Sequence, residues 1–396
     1  MAVGADRSGY YVHQPGGFSA FVPRALPPKP DLDLGQLLGA LSAADQALGR
    51  LDGVTSQLPD ANLFLAMYVR REALLSSQIE GIDCTLDDVL AFEISEPVAD
   101  LPTVDVQEVV NYIAAMNYGL GRLDELPISR RLLCEVHAHL LRDGRGAEKT
   151  PGEFRRTQNW IGPKGASLSQ ATFVPPPVEE MSRAISDLEK FIHDSAENAG
   201  GLPLLVVCGL VHAQFETIHP FLDGNGRIGR LLITLLLCER GALRVPVLYL
   251  STYLRRRRTR YFELLTDVRF KGDWESWMLF FLEGVRDTAQ EAAETARRVH
   301  AMREDHRRVL SSAGGGVNDL ALLDRLFTQP LVNAKWVGQA LGVTPATANS
   351  ILARFERAGL LREITGQARN RVFRYDQYLS LFDQTEADEV HDETGA

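Results

Sequence analysis

Residues 219–230 read HPFLDGNGRIGR and are followed at once by the apolar run 231–237. This arrangement predicts a loop that opens a helix, and a helix N-terminus presents unpaired backbone N–H groups and the positive end of its dipole. The glycines of the GNG turn let that backbone approach an anion closely. Arg227 and Arg230 are three residues apart, so both project from one face of the first helical turn. The stretch therefore predicts an anion site at the start of a buried helix.

Two further side chains of this stretch bring chemistry to the anion site. Asp223 offers the hard oxygen that Mg²⁺ on a polyphosphate prefers. His219 has an ordinary pKa near neutrality, which suits it to take a proton from an attacking hydroxyl. The alternative is a plain helix N-terminus with a capping Asp and a buried His, but this reading does not account for the two arginines.

The same residues match the motif HPFx(D/E)GNGRxxR, and by it the chain resembles Fic-domain proteins. Most members with the full motif transfer AMP from ATP to a hydroxyl side chain of a target protein. The resemblance implies that His219 is the general base on a Ser, Thr or Tyr hydroxyl and that Asp223 holds Mg²⁺. It also implies the nucleotide-binding residues: an anion hole for the α- and β-phosphates is lined by Gly224, Asn225 and Gly226, while Arg227 neutralises the phosphates and Arg230 binds the γ-phosphate. The retained Gly226 favours nucleotidyl transfer over the kinase-like variants of the family.

A second signal lies upstream, where the helical pattern from Leu63 to Leu75 is followed by Ser76-Ser-Gln-Ile-Glu80-Gly81. Glu80 is predicted to end a helix with Gly81 as its C′ residue, whereas a capping box starting at Ser77 is the alternative. A carboxylate at that negative dipole end needs a cation. The resemblance supplies one, because related Fic proteins carry an inhibitory (S/T)xxxE(G/N) helix, matched here by Ser76 and Glu80. In them the Glu pairs with the second motif arginine, here Arg230.

The segment 159–177 contains two short apolar pieces around a Gly-Pro-Lys-Gly turn, which predicts a hairpin. In Fic proteins a flap at this place clamps the target backbone by strand addition, although an ordinary surface hairpin is the alternative. Downstream, the arginine run 255–258 reads as a solvated helix face. Similar proteins usually carry Asn-Arg or His-Arg where this chain has 257–258, and Tyr261 is chosen as the residue near the base.

The predicted fold is mainly α, with a Fic-type helical core, a β-hairpin flap and a small C-terminal winged-helix domain. Only the flap and the wing are expected to be β structure, and residues 1–35 are expected to form an irregular arm. The predicted divisions are 1–100 for the N-terminal arm and helices with the inhibitory helix, 101–290 for the Fic core, 291–316 for a linker helix and Gly-rich break, 317–382 for the winged helix-turn-helix, and 383–396 for an acidic disordered tail.

The C-terminal prediction rests on a helix–turn–helix pattern in which Gly342 permits the turn and Thr344 caps the second helix, with Pro345 at its first position. Winged helices often bind DNA. The basic residues that could do so are Arg354, Arg357, Arg369, Arg371 and Arg374. Glu356, Glu363 and the acidic tail dilute that patch, so a docking or dimerising module stays equally open. The alternative function is thus a DNA-binding transcriptional regulator with the Fic core as nucleotide sensor.

Composition bounds the function without choosing it. The 396-residue chain has 45% hydrophobic residues and a net charge of −10, which argues against bulk nucleic-acid affinity. Four scattered cysteines without a CxxC pair predict a reducing compartment, and no apolar stretch approaches membrane-span length, so a cytoplasmic protein without membrane contact is expected. Its expected partners are ATP and a protein hydroxyl, on itself or another chain, and a homodimer stays open. His137, His139 and His212 are interpreted as core or surface histidines, because their spacing does not suit a metal.

Overall fold

The computed structural model describes residues 5–56, 61–94, 103–144, 146–163, 165, 167–197 and 201–383. The mainly helical fold is confirmed. The first twelve helices are α1 (Ala5–Ser8), α2 (Leu34–Ser56), α3 (Ala61–Ile79), α4 (Leu86–Ile94), α5 (Thr103–Arg122), α6 (Arg130–Leu140), α7 (Val178–Glu197), α8 (Leu204–Ile218), α9 (Asn225–Glu239), α10 (Ser251–Arg256), α11 (Arg258–Lys271) and α12 (Trp274–Ser312). The predicted acidic tail lies outside the described residues from 384 onward.

Helices α8 and α9 form the centre of the molecule. Residues 205–218 of α8 are all buried, as expected for a helix that is apolar on every side. Helix α9 is buried from Arg227 to Leu237, and it packs against α3 and α5 while α7 covers α8. The loop between the two central helices is consequently held on several sides by other elements.

Helix α12 is continuous across the predicted boundary at residue 290. Its 39 residues span about 58 Å, and it packs lengthwise on α2. Ala292, Ala296 and Val299 are buried in that contact, and small side chains allow two helix backbones to come close. The segment expected to be a linker helix is therefore continuous with the preceding helix, and it contributes buried residues as far as Leu310.

The N-terminal arm differs from the expectation of irregular structure. Strands β1 (Gly9–His13) and β2 (Ser19–Pro23) form an antiparallel hairpin around a turn in which Gly17 has φ 79°. Phe21 N donates to Val174 O at 2.9 Å, so the hairpin also attaches to residues just after the predicted flap. The sequence did not predict this hairpin, because the two strands are short and the prolines after β2 indicate irregular structure. In addition, β2 is stabilised by residues that are distant in the chain.

The C-terminal unit contains α13 (Val317–Leu326), β3 (Leu331–Asn333), α14 (Ala334–Leu341), α15 (Pro345–Arg357), β4 (Arg362–Glu363), β5 (Val372–Arg374) and α16 (Asp376–Asp383). Its antiparallel sheet has the order β3-β5-β4. The cap predicted at Thr344 is confirmed, since its side chain accepts from Thr347 N at 3.3 Å. Across the described ranges, none of the helices combines the length and apolar character needed to span a bilayer.

Candidate active site

The loop between α8 and α9 makes two sharp backbone turns. His219 closes α8 in the left-handed region, with φ 50°, and its N–H donates to Phe215 O at 2.9 Å. Gly224 has φ 74° and immediately precedes α9. The loop thus places the His219 side chain beside the N-terminal turn of α9, where the first backbone N–H groups have no partner within the helix.

The Asn225 side chain holds this loop in place. Its Oδ1 accepts from Phe221 N and its Nδ2 donates to Phe221 O, both at 2.9 Å. The sequence placed Gly224, Asn225 and Gly226 in an anion hole. The structure turns the Asn225 side chain inward to the loop, so only the backbone of these residues faces the helix entrance.

Arg155, which precedes the predicted flap, and Asn159, the first residue of the flap segment, hold the other side of the loop. The sequence did not predict either role. Arg155 is buried; its Nε donates to His219 O at 3.0 Å and its Nη2 to Pro176 O at 2.5 Å. Asn159 Nδ2 also donates to His219 O, at 3.2 Å. No local pattern marks these contacts, because His219 lies 64 positions from Arg155 and 60 from Asn159 in the chain. They fix the backbone that carries the His219 imidazole.

The His219 imidazole is neutral at neutral pH. Burial, together with the positive charges of Arg269 and Arg155, lowers the pKa of His219 to about 4. Its Nδ1 lies 3.4 Å from Glu216 O, a carbonyl that can only accept, so the proton is assigned to Nδ1. Nε2 then carries a lone pair, which is the form that a general base requires.

Both motif arginines are buried and held by acidic side chains. Arg227 Nη1 donates to Glu108 Oε2 at 3.0 Å, with both side chains 4% exposed. Glu108 belongs to α5 and was not predicted, because an acidic residue in a helix carries no local sign of so distant a partner. Arg230 Nε donates to Ser76 Oγ at 2.8 Å, and its Nη2 to Ser76 O at 2.9 Å.

Glu80 occupies the entrance of α9. Its Oε1 accepts from Arg230 Nη2 at 2.8 Å, the pairing expected from the sequence. A Cβ built on Gly226 would lie 2.2 Å from Glu80 Oε1, so the carboxylate rests on the first turn of the helix. Burial raises the pKa of Glu80, but the positive charges of Arg230 and Arg227 outweigh it and hold that pKa below its ordinary value.

The end of α3 follows the sequence prediction, since the helix ends at Ile79 and Gly81 has φ 85°. A second cation was missed there. Arg258, the first residue of α11, donates from Nε to Ile79 O at 3.1 Å, and its guanidinium lies 5.0 Å from the centre of the Phe262 ring. The arginine run is therefore not a uniform solvated face, because the chain breaks between α10 and α11 and points Arg258 at the helix that carries Glu80.

Tyr261, the residue chosen to lie near the base, has its side chain in the core. It is 1% exposed, and its hydroxyl lies 2.8 Å from His212 Nε2, while His212 Nδ1 lies 2.9 Å from Gly229 O. The pair supports the back of α9 from within the core. Tyr261 follows the break between α10 and α11, and its ring points inward.

Asp223 lies at the opening of the site with a side chain that is 44% exposed. Its Oδ1 accepts from Gly224 N at 2.6 Å and lies 3.7 Å from Arg227 Nη2. In the part of the chain that the structure describes, no cluster of three or more His, Cys, Asp or Glu could bind a metal alone. A single accessible carboxylate nevertheless fits Mg²⁺, which takes most of its other ligands from phosphates and water.

The predicted flap is short of a full hairpin in the described residues. Ile161 and Phe173 form one antiparallel bridge, in which Ile161 N donates to Phe173 O at 2.8 Å. A 3-10 turn at Leu168–Gln170 lies between them. The adjacent Trp160 is 41% exposed.

Two of the five C-terminal arginines are engaged inside the protein. Arg354 forms two hydrogen bonds to the buried Asp319, at 2.8 and 2.9 Å. Arg374 Nε contacts Asp87 of α4 at 3.2 Å and Arg374 also pairs with Asp376. The basic face available for DNA phosphates is thereby reduced.

Comparisons with known proteins agree with this geometry. The Fic/DOC family N-terminal model matches residues 38–121, and the Fic/DOC family model matches 127–237. A protein adenylyltransferase Fic of Drosophila grimshawi is 26% identical over 212 residues, covering 53% of this chain and 40% of its own length, and one of Drosophila ananassae is 25% identical with 53% and 39% covered. The chain thus spans about two fifths of these relatives.

Two solved structures share the fold. A Fic family protein from Desulfovibrio desulfuricans G20 superposes with a TM-score of 0.57 at 23% identity, covering 88% of this chain and 98% of that one. A Fic domain containing signaling protein from Bacteroides thetaiotaomicron gives 0.54 at 18% identity, with 65% and 97% covered. The likeness extends well beyond the motif helix.

Proposed function

The chain belongs to the Fic/DOC family through residues 38–121 and 127–237, and on that premise we propose that it transfers AMP from ATP to a Ser, Thr or Tyr hydroxyl of a protein, under restraint by Glu80. One observation carries the proposal. The positive charges of Arg230 and Arg227 act on the Glu80 carboxylate at the first turn of α9, and the neutral His219 imidazole lies close enough to this carboxylate for their charged forms to interact. The groups proposed for acid–base chemistry and for phosphate binding therefore converge on one anion-binding point.

In the proposed reaction, His219 Nε2 takes the proton of the target hydroxyl. The hydroxyl oxygen then bonds to the α-phosphorus of ATP, the bond to the bridging oxygen of the β-phosphate breaks, and pyrophosphate leaves. The N-terminal N–H groups of α9 and the Arg227 guanidinium stabilise the charge on the phosphoryl oxygens. Mg²⁺, when bound, would supply further neutralisation of the phosphates, with Asp223 as its protein ligand.

Restraint by Glu80 follows from competition for Arg230. A γ-phosphate at that guanidinium would need the position that the Glu80 carboxylate holds at 2.8 Å, and two anions cannot share it without strong repulsion. Ser76 supports the restrained state by accepting from Arg230 Nε. Release of Glu80 is accordingly the step that admits productive ATP.

The flap is the proposed docking place for the target. An extended target segment would add to the backbone near the Ile161–Phe173 bridge, which is a common mode of peptide recognition. For the C-terminal unit we favour protein docking, including pairing with a second copy, over DNA binding, because Arg354 and Arg374 are already paired with carboxylates. A cytoplasmic location is proposed from the four free cysteines.

The test uses labelled ATP with three variants. Glu80→Gly and Glu80→Ala should both raise labelling of the protein itself or of a lysate protein, and adding His219→Ala should abolish it. Glu80→Ala removes the carboxylate without adding backbone freedom, so activation by the glycine variant alone would contradict the competition model. Faster turnover of UTP or GTP would contradict ATP as donor. Duplex-DNA binding that falls steeply with salt, without any transfer, would favour the regulator instead.

A further inference from the structure

His137 is a buried side chain that has no part in the proposed chemical step, yet it contacts the active-site loop. It lies on α6 and is 0% exposed. Its ring stacks on Phe221 with 3.8 Å between ring centres and 6° between planes. Its Nδ1 lies 2.9 Å from Gly152 N, and its Nε2 lies 3.1 Å from Asp223 O. It is thus the link between the motif loop and the segment that leads into the flap.

The two partners of His137 determine which nitrogen carries the proton. The backbone N–H of Gly152 can only donate, so Nδ1 must accept. The carbonyl of Asp223 can only accept, so Nε2 carries the proton and donates to it. The imidazole is therefore used in one tautomer, with each nitrogen directed at a backbone group of a different segment.

The bond to Asp223 O orients the carboxylate of the same residue. The peptide that joins Asp223 to Gly224 has its C=O held by His137 and its N–H held by Asp223 Oδ1 at 2.6 Å. Without the first bond, this peptide could rotate, because Gly224 tolerates the conformational change. Rotation would move both the carboxylate and the first turn of α9.

We propose that His137 is a positioning residue that sets the affinity of the site for magnesium-bound nucleotide by fixing the Asp223–Gly224 peptide. The inference rests on the proposed function. Simple core packing is the competing explanation, since the ring also fills space against Phe221. The two explanations differ in what they expect from side chains that keep one hydrogen bond and lose the other.

Three substitutions separate the bonds, each made in the Glu80→Gly protein. In His137→Gln the amide nitrogen reaches the place of Nε2 and keeps the donor to Asp223 O. In His137→Asn the amide oxygen reaches the place of Nδ1 and keeps only the acceptor for Gly152 N. His137→Phe keeps the stack on Phe221 and loses both bonds. His139→Asn is the matched control, because that imidazole lies two residues along α6 and stacks on Tyr118 instead.

The readouts are Mg²⁺ dependence of automodification and calorimetric binding of Mg·ATP, with melting temperature measured in parallel. We expect the Asn and Phe variants to raise the half-saturating Mg²⁺ concentration and the Kd for Mg·ATP about three- to tenfold, because both lose the hydrogen bond to Asp223 O. The rate of automodification at saturating Mg²⁺ should change little, and so should the affinity for ATP measured in EDTA. The Gln variant and the His139 control should stay close to the parent.

The proposal would be overturned if His137→Asn left the Mg²⁺ dependence unchanged, or if His137→Gln weakened Mg·ATP binding as much as His137→Asn does. It would also be overturned if the losses of Mg·ATP affinity simply followed the losses in melting temperature. If His137→Phe does not fold, the Gln and Asn variants, which keep one bond each, decide the matter. If the Glu80→Gly parent binds Mg·ATP but transfers nothing, the transfer reaction fails while calorimetry still tests His137.

Discussion

Arg258→Met tests whether a cation at the end of α3 helps to keep Glu80 in place. Arg258 Nε donates to Ile79 O at 3.1 Å, one residue before Glu80. Carbonyl groups at a helix C-terminus lack partners within the helix and carry partial negative charge, so a guanidinium there stabilises the helix end. Methionine keeps an apolar side chain of similar length, and it removes the charge, the donor and the contact of the guanidinium with the Phe262 ring.

The size of the effect follows from the exposure of the contact. A cation at a surface-exposed helix C-terminus contributes about 0.3–1 kcal/mol, and Arg258 is exposed. If the restrained state predominates, the rate of transfer is proportional to the small released fraction. Loss of that stabilisation should then raise automodification about two- to fivefold.

The assay is the initial rate of labelling with ATP, and Arg260→Met is its matched control. Arg260 is also exposed and lies in the same helix, but it pairs with Glu263 at 3.5 Å and not with α3. The stimulation by Arg258→Met should vanish in the Glu80→Gly background, where no carboxylate remains to be released. Equal rates for the two Met variants, or a stimulation that persists without Glu80, would refute the reasoning.

Two further predictions concern Gly226 in the first turn of α9 and His212 of the neighbouring helix α8. Gly226→Ala places a Cβ 2.2 Å from Glu80 Oε1, so it should lower the melting temperature of the parent protein. It should not do so in the Glu80→Ala protein, where the clash with the carboxylate is absent and helix propensity favours Ala over Gly by up to about 1 kcal/mol. Additive shifts in melting temperature among the four proteins of this double-mutant cycle would contradict the prediction. Burial lowers the pKa of His212 from 6.5 to about 4, so between these pH values only the unfolded chain takes up the proton and stability falls as pH falls. The free energy of unfolding of the parent should therefore fall by about 2 kcal/mol relative to that of His212→Gln between pH 7 and pH 5. A difference between the two proteins that stays constant over this pH range would contradict the lowered pKa of His212.

Local patterns were sufficient for some parts of the site. The end of α3, the left-handed Gly81 and the cap at Thr344 depend on neighbouring residues. Gly81 and Thr344 were predicted as observed, and the predicted helix end at Glu80 lies one residue beyond the observed end at Ile79. The approach of Glu80 to Arg230 came from the resemblance to Fic-domain proteins rather than from spacing. The flap and the roles of the site residues remain predictions that the proposed experiments address.

Contacts between distant segments could not be predicted in the same way. Glu108 meets Arg227 across 119 positions, and Arg258 meets Ile79 across 179. The alternation in β1 and β2 is too short to indicate a hairpin, which is stabilised by Val174 from another part of the chain. In each case the pairing depends on where helices and strands pack, and the single residue carries no sign of it.

By itself, the sequence determined that a glycine-containing turn opens an apolar helix with two arginines on one face, because helix termini and periodicity follow from residues within a few positions. Only the tertiary structure decided which groups support that turn and its helix. These are the hydrogen bonds of Arg155 and His137 to the loop backbone, the ion pair of Glu108 with Arg227, and the inward position of Tyr261. The physical reason is that burial removes water as a partner, so each polar group must find one on whichever element packs beside it.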